Sequence, residues 1–186
     1  MKIVFIRHGL TAGNLEKRYI GRTDEALCPE GIEQLRNADI PPCEVLVCSP
    51  MKRCLQSAQI LFPQQDIITD EDLRECDFGD FEGKSYTELT GNAAYQEWID
   101  SGGSLPFPGG ESPQDFRKRC ICAFDTIVRK YKEKSSVAFV VHGGTIMAVL
   151  ERYAFPHRDY FDWHCSNGTG YVCQWNGSEL EITERI

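Results

Sequence analysis

Two histidines sit in matching contexts. Ile3-Val4-Phe5-Ile6-Arg7-His8-Gly9 and Val137-Ala138-Phe139-Val140-Val141-His142-Gly143-Gly144 each run an apolar stretch straight into His-Gly. Imidazole changes charge near neutral pH, so either ring can serve as nucleophile or proton carrier. The glycine that follows lets the backbone turn sharply and brings an amide close to a ligand, as an anion nest requires. Arg7 precedes the first histidine, and its guanidinium matches two oxygens of a phosphate group at once. Arg53, in Ser49-Pro50-Met51-Lys52-Arg53, supplies a second cation one turn into a helix. A single histidine at a strand end is usually solvated, but two in matching positions with two arginines point to an oxyanion pocket. The acid such chemistry needs must come from the run Asp70-Glu71-Asp72-Leu73-Arg74-Glu75-Cys76-Asp77-Phe78-Gly79-Asp80-Phe81-Glu82, where position alone does not choose among the carboxylates.

The elements that must position these groups alternate. Residues 2–7, 44–48 and 137–141 read as buried strands and 66–69 as a weaker one, while 170–175 and 179–183 form a hairpin about Asn176-Gly177. Helices are predicted at 30–39, 50–62, 92–101, 113–132 and 144–154. Ser49-Pro50 and Ser112-Pro113 each place an N-cap serine before a proline at the first helical position, and Asp115 adds an acid to the second of these helices. Strands alternating with helices of this length imply a three-layer α/β/α domain spanning 1–186, with a mostly parallel central sheet. Ligands in such sheets collect at the carboxyl ends of the strands, where both histidines fall. The Gly/Pro-rich segment 101–110 is expected to be a loop near the site, since too little chain follows it for a second core.

The residues also resemble a family. Arg7-His8-Gly9-x-Thr11-x-x-Asn14 is similar to the Arg-His-Gly signature of the histidine phosphatase superfamily, which includes the cofactor-dependent phosphoglycerate mutases. The likeness continues in order through Gly21-Arg22-x-Asp24, Leu27-x-x-x-Gly31-x-x-Gln34, Ser49-Pro50-x-x-Arg53, Leu73-x-Glu75-x-x-x-Gly79-x-x-Glu82-Gly83, Pro108-Gly109-Gly110-Glu111-Ser112 and His142-Gly143-Gly144. The resemblance implies a phosphoglycerate mutase-like fold and a phosphohistidine formed on His8. It makes Glu75 the general acid and then general base. Arg7, Arg53 and a protonated His142 would stabilise the transferred group, aided by Asn14, Thr11, Gly21 and the Gly143 amide. No metal or other cofactor is implied. Leu10 stands where many members carry Glu after Arg-His-Gly, and Glu75-Cys76-Asp77-Phe78-Gly79 replaces the Glu-Arg-His-Tyr-Gly of the mutases. With the short chain, this resembles the small phosphatases of the superfamily, among them α-ribazole-5′-phosphate phosphatases of cobalamin assembly. The competing expectations are a phosphoglycerate mutase and a non-catalytic phosphate-binding module.

Composition narrows the partner. Of 186 residues, 20 are Lys or Arg and 28 Asp or Glu, for a net charge of −8, which argues against nucleic acid or an acidic membrane face. No apolar run approaches the roughly 18 residues of a membrane span, and the first apolar stretch ends too soon for a signal peptide, so a cytoplasmic location is expected. Nine cysteines without a Cys-x-x-Cys pair signal neither a disulfide framework nor a zinc site, and they read as reduced, structural thiols. A small phosphate ester is the expected ligand, in a monomer or homodimer. Tyr86, Tyr95, Trp98, Phe107 and the aromatics of 160–163 are candidates to line a leaving-group pocket. His157 and His164 fall outside the motifs and receive no role.

Overall fold

The computed structural model describes residues 1–186. Its elements follow in the order β1 (Lys2–Arg7), α1 (Ala12–Leu15), α2 (Pro29–Arg36), β2 (Val45–Cys48), α3 (Lys52–Leu61), β3 (Ile67–Thr69), α4 (Ala93–Asp100), α5 (Pro113–Lys130), β4 (Ser136–Val141), α6 (Gly143–Tyr153), β5 (Ala154–Phe155), β6 (Gly170–Trp175) and β7 (Leu180–Arg185). One seven-stranded sheet has the order β3-β2-β4-β1-β6-β7-β5. Four of its six pairings are parallel, and β6 turns the sheet antiparallel against β1 and β7. The hairpin expected about Asn176-Gly177 joins β6 to β7, and Gly177 takes a positive φ of 109° there.

Alternation along the central strands explains the layers. Ile3, Phe5, Val45, Val47, Val137, Phe139 and Val141 face α5 and α6 in one core. Val4, Ile6, Leu46, Cys48, Ala138 and Val140 face the other way, onto Cys54 and Ala58 of α3. Each central strand is thus apolar on both sides, because helices cover both faces. A third cluster joins Cys76, Phe81, Leu89, Phe107, Phe116, Cys120 and Ala148 beneath the loops at one end.

β1 and β4 pair directly in parallel register, Lys2 opposite Ser136 and Arg7 opposite Val141. The next residue on each strand is therefore His8 and His142, side by side at the carboxyl edge, as the matching runs predicted. α5 starts as expected, with the Ser112 hydroxyl accepting from the Asp115 amide and Pro113 in the first turn. α3 does not. It begins at Lys52 after Met51, and the Lys52 amide donates to Asp24 Oδ1 at 2.6 Å, so a distant loop caps the helix instead of Ser49.

Candidate active site

His8 Nδ1 lies 2.8 Å from the carbonyl oxygen of Gly9. A carbonyl only accepts, so Nδ1 carries the proton and Nε2 keeps its lone pair. The same backbone is held by Asn167, whose Nδ2 donates to the His8 carbonyl at 3.1 Å and to Asn14 Oδ1 at 3.1 Å. The His8 and His142 rings meet edge to face with centroids 5.2 Å apart. His142 is fully buried, with Nε2 2.8 Å from Ser49 Oγ, whereas His8 retains 4% exposure. Ser49 therefore positions an imidazole, and its Oγ also accepts from the Met51 amide at 3.4 Å, ahead of the first turn of α3.

Burial, reinforced by the charges of Arg53 and Arg7, holds His8 well below the ordinary imidazole value. Burial, then Arg53, His8 and Arg7, do the same to His142. His8 is thus neutral at physiological pH, as a nucleophile must be. His142 is held neutral in the same way in the ligand-free site, where the expectation was a protonated ring, because burial and two nearby arginines disfavour its charge.

The two arginines are held differently. Arg7 donates from Nη1 to the Cys165 carbonyl at 2.7 Å and lies 3.3 Å from His164 Nε2. Arg53 is fully buried and gives both terminal nitrogens to backbone, Nη1 to Thr23 at 2.7 Å and Nη2 to Gly21 at 3.0 Å. Its fork grips the 20–23 loop and so fixes the guanidinium in place, while its Nε–H and the second Nη1 hydrogen stay uncommitted. In both arginines a buried Nε–H lacks an acceptor, and these two donors sit beside the histidines whose charge they suppress. The first N–H of α6, that of Gly143, has no acceptor within the helix.

Gly21 and Thr11 are also reassigned. The Gly21 amide donates to Glu82 Oε1 at 2.9 Å while its carbonyl holds Arg53, and a Cβ there would collide with the Cys76 carbonyl. Both of its polar groups are committed to the scaffold. Thr11 Oγ1 caps α1 by accepting from the Asn14 amide, and Asn14 Oδ1 returns the bond to the Thr11 amide at 3.2 Å. The Asn14 amino group and the Thr11 hydroxyl proton stay uncommitted. Leu10 works through its backbone, its carbonyl accepting from Cys28 at 2.9 Å.

Among the acids, Glu75 is the one brought to the site. Its Oε1 accepts from the Cys76 amide at 2.9 Å and its Oε2 from the Gly144 amide at 3.4 Å, at the start of α6. Arg119, which sequence reasoning missed, fixes this segment. It donates from Nε and Nη2 to the two oxygens of Glu111 at 2.7 and 2.9 Å, and to the carbonyls of Asp72, Arg74 and Glu75. Asn167, Ser49 and His164 were missed as well, since none stands at a fixed spacing from either histidine.

A cavity of about 250 Å³ opens beside these groups. Arg7, Glu75, Gly143 and Gly144 line one end, and Tyr19, Phe78, Trp98, Phe107, Phe116 and Tyr160 wall the rest. Of the aromatics named from sequence, Trp98, Phe107 and the 160–161 pair reach it; Tyr86 is exposed elsewhere and Tyr95 packs behind Trp98. Gly103 and Phe107 bring the 101–110 loop to its rim, as expected. Nowhere do three His, Cys, Asp or Glu side chains converge as metal ligands. No helix is long and apolar enough to cross a membrane.

The chain belongs to the histidine phosphatase superfamily (branch 1), whose model matches residues 3–185. It is 32% identical over 162 residues to phosphoglycerate mutase-like protein 4 of Arabidopsis thaliana, covering 81% of this chain and 70% of that one. The fold matches the α-ribazole phosphatase of Shigella flexneri with a TM-score of 0.89 at 22% identity, over 100% of this chain and 96% of the other. A phosphoglycerate mutase of Thermus thermophilus superposes with a TM-score of 0.75 at 26% identity, over 100% and 98% of the two chains. Membership in this superfamily, together with 26% identity over 157 residues to a relative of Hydrogenobacter thermophilus named phosphoserine phosphatase 2, makes the protein a phosphatase enzyme.

Proposed function

We propose that residues 1–186 act as one catalytic unit, a metal-independent phosphomonoesterase that works through a phosphohistidine on His8. The observation that carries this is the His8 tautomer: Nδ1–H is committed to Gly9, which leaves the neutral Nε2 as the nucleophile beside two guanidinium groups. Nε2 attacks phosphorus as the P–O bond of the ester breaks, and Glu75 gives its proton to the departing oxygen. Water then attacks the phosphorus of phospho-His8, Glu75 takes the water's proton, and the P–N bond breaks to restore His8 and release phosphate. Arg7 Nε, Arg53 Nε, Asn14 and the Gly143 amide supply positive potential where charge gathers on the equatorial oxygens.

The ester we infer is a small organic phosphate with a ring-bearing leaving group, specifically α-ribazole 5′-phosphate of cobalamin assembly. Its support is the aromatic wall of the cavity. Nine free thiols fit a reducing, cytoplasmic setting. The mutase-like name of the Arabidopsis relative favours a competing reading, phosphoglycerate mutase. Hydrolysis of a phosphate-ester panel, with chelator present, compares wild type with His8→Ala. Wild type is expected to keep full activity, and the variant to lose at least about 1,000-fold. Unchanged activity in the variant, or loss on chelation, overturns the mechanism; turnover of 3-phosphoglycerate only with a bisphosphate primer selects the mutase.

A further inference from the structure

We propose that Glu151 sets the substrate class of this site: by neutralising Arg117 it turns the cavity away from carboxylate-bearing phosphate esters and toward neutral aromatic ones. The inference rests on the phosphatase reading above. Arg7 and Arg117 are the only arginine or lysine residues lining the cavity. Arg7 lies at the phosphoryl end, so a carboxylate on the leaving group would have only Arg117 to meet. The charge of that guanidinium is already paired through one of its terminal nitrogens. Its Nη1 donates to both oxygens of Glu151, at 3.2 and 3.0 Å, and its plane lies 4.0 Å over the Tyr160 ring. Glu151 does not line the cavity; it approaches from α6, behind Arg117 on α5.

The electrostatics follow from this pairing. A lone guanidinium at the edge of an apolar cavity attracts a carboxylate, and with its side chain 35% exposed water screens it only in part. With an opposite charge in contact, the two fields largely cancel at the distance of a bound ligand. The remaining ionisable groups on the cavity are Glu75, which repels an anion whenever it is charged, His164, held below the usual imidazole value by burial and Arg7, and Tyr19, Cys76 and Tyr160, which burial pushes up and so keeps uncharged. What the cavity offers instead is ring surface, with Tyr160 fixed between Arg117 and its own hydroxyl bond to the Gly144 carbonyl at 3.3 Å. A planar neutral leaving group buries well there, and a charged one is left unpaired.

The test is steady-state turnover of 1-naphthyl phosphate, phosphoserine and 3-phosphoglycerate by wild type, Glu151→Gln and Glu151→Asp. Wild type is expected to favour the naphthyl ester by about tenfold or more in kcat/KM. Glu151→Gln is expected to raise kcat/KM for 3-phosphoglycerate about tenfold, through a lower KM, and Glu151→Asp to keep the wild-type preference. Adding Arg117→Gln to Glu151→Gln must abolish the gain. No preference in wild type, no shift in Glu151→Gln, or a gain that survives in the double variant would each overturn the proposal. Calorimetric binding of the same three esters to His8→Ala reads the preference without turnover. If that preference holds while no ester is hydrolysed by wild type, the phosphatase reading fails and the charge lock stands; equal binding of all three sinks the charge lock alone.

Discussion

Nε2 of His142 and Oγ of Ser49 lie 2.8 Å apart, both fully buried. This bond orients a neutral imidazole against His8 with no water to replace a lost partner. Ser49→Ala is expected to cost about 1–2 kcal/mol of stability, the price of leaving a buried ring nitrogen unpaired. It should also lower kcat about tenfold as the His142 ring loses its set orientation. Urea unfolding and turnover of an aryl phosphate measure the two effects, and wild-type values in both would show that Ser49 does not hold the ring.

Arg119 and Glu111 form the second support. The arginine ties Glu111, on the loop before α5, to the carbonyls on either side of Glu75. Both side chains are about one-fifth exposed, so screening trims the full cost of a broken buried pair. Arg119→Ala is expected to lose about 2–3 kcal/mol and to slow turnover, while Arg119→Lys recovers part of the stability but not the geometry, since an ammonium cannot span all five acceptors. Chemical denaturation and kcat together check this. A kcat that stays at the wild-type value in Arg119→Ala would dissociate Glu75 from its clamp.

Much of this arrangement was legible in the sequence, for physical reasons. β1 and β4 are buried on both faces, so each reads as an unbroken apolar run, and a shared His-Gly ending then places two rings at one edge. Ser112-Pro113 reads correctly because a cap is a local interaction settled within four residues. Ser49-Pro50 carries the same local signature and misleads, since His142, far along the chain, competes for the hydroxyl and Asp24 takes over the cap. Gly21 was assigned to the ligand for a similar reason: a bare amide looks available until the fold shows it bonded to Glu82 and its carbonyl to Arg53. Asn167 and Arg119 left no signal, because their partners lie on other elements and follow no period.

The two depressed histidines predict a pH dependence. In the unfolded chain His8 and His142 titrate near the ordinary value of about 6.5. Below that pH the unfolded state binds protons that the native state refuses. Stability present above pH ~6.5 is therefore lost as pH falls toward the native values, by about 1.4 kcal/mol per pH unit for each histidine. Urea unfolding at about pH 7.5 and about pH 5.5 is expected to show a stability loss about 1.4 kcal/mol smaller over that whole interval in His142→Gln than in wild type. Parallel slopes would mean that His142 ionises freely in the native protein. By the same logic the acid limb of kcat/KM should lie below the ordinary imidazole value, because His8 stays neutral there.

Two glycines separate backbone strain from collision. Gly79 and Gly83 both take positive φ, 52° and 74°. A Cβ on Gly79 would strike the Pro108 carbonyl and the Gly110 amide, whereas one on Gly83 meets nothing within 4 Å. Gly83→Ala is expected to cost about 1 kcal/mol for the left-handed conformation alone. Gly79→Ala should cost more than about 2 kcal/mol and disturb the cavity as well, since the 107–110 loop that carries Phe107 must move. Paired thermal melts decide it; equal losses would show that the loop gives way freely.

The thiols differ sharply in access. Eight of the nine cysteines are buried and only Cys122 is exposed. Burial pushes Cys54, Cys120 and Cys173 up to about 12, and raises Cys48 and Cys76 too, so few of these groups are thiolate at neutral pH. Reaction with an aromatic disulfide needs both access and the thiolate form. The native protein is expected to release one equivalent of chromophore quickly, and the other eight only as fast as it opens or after denaturant is added. Cys122→Ser should remove the fast phase entirely. A fast phase that survives in that variant would place a second reactive thiol at the surface, with Cys76 at the cavity wall the first to examine by mass spectrometry of the modified chain.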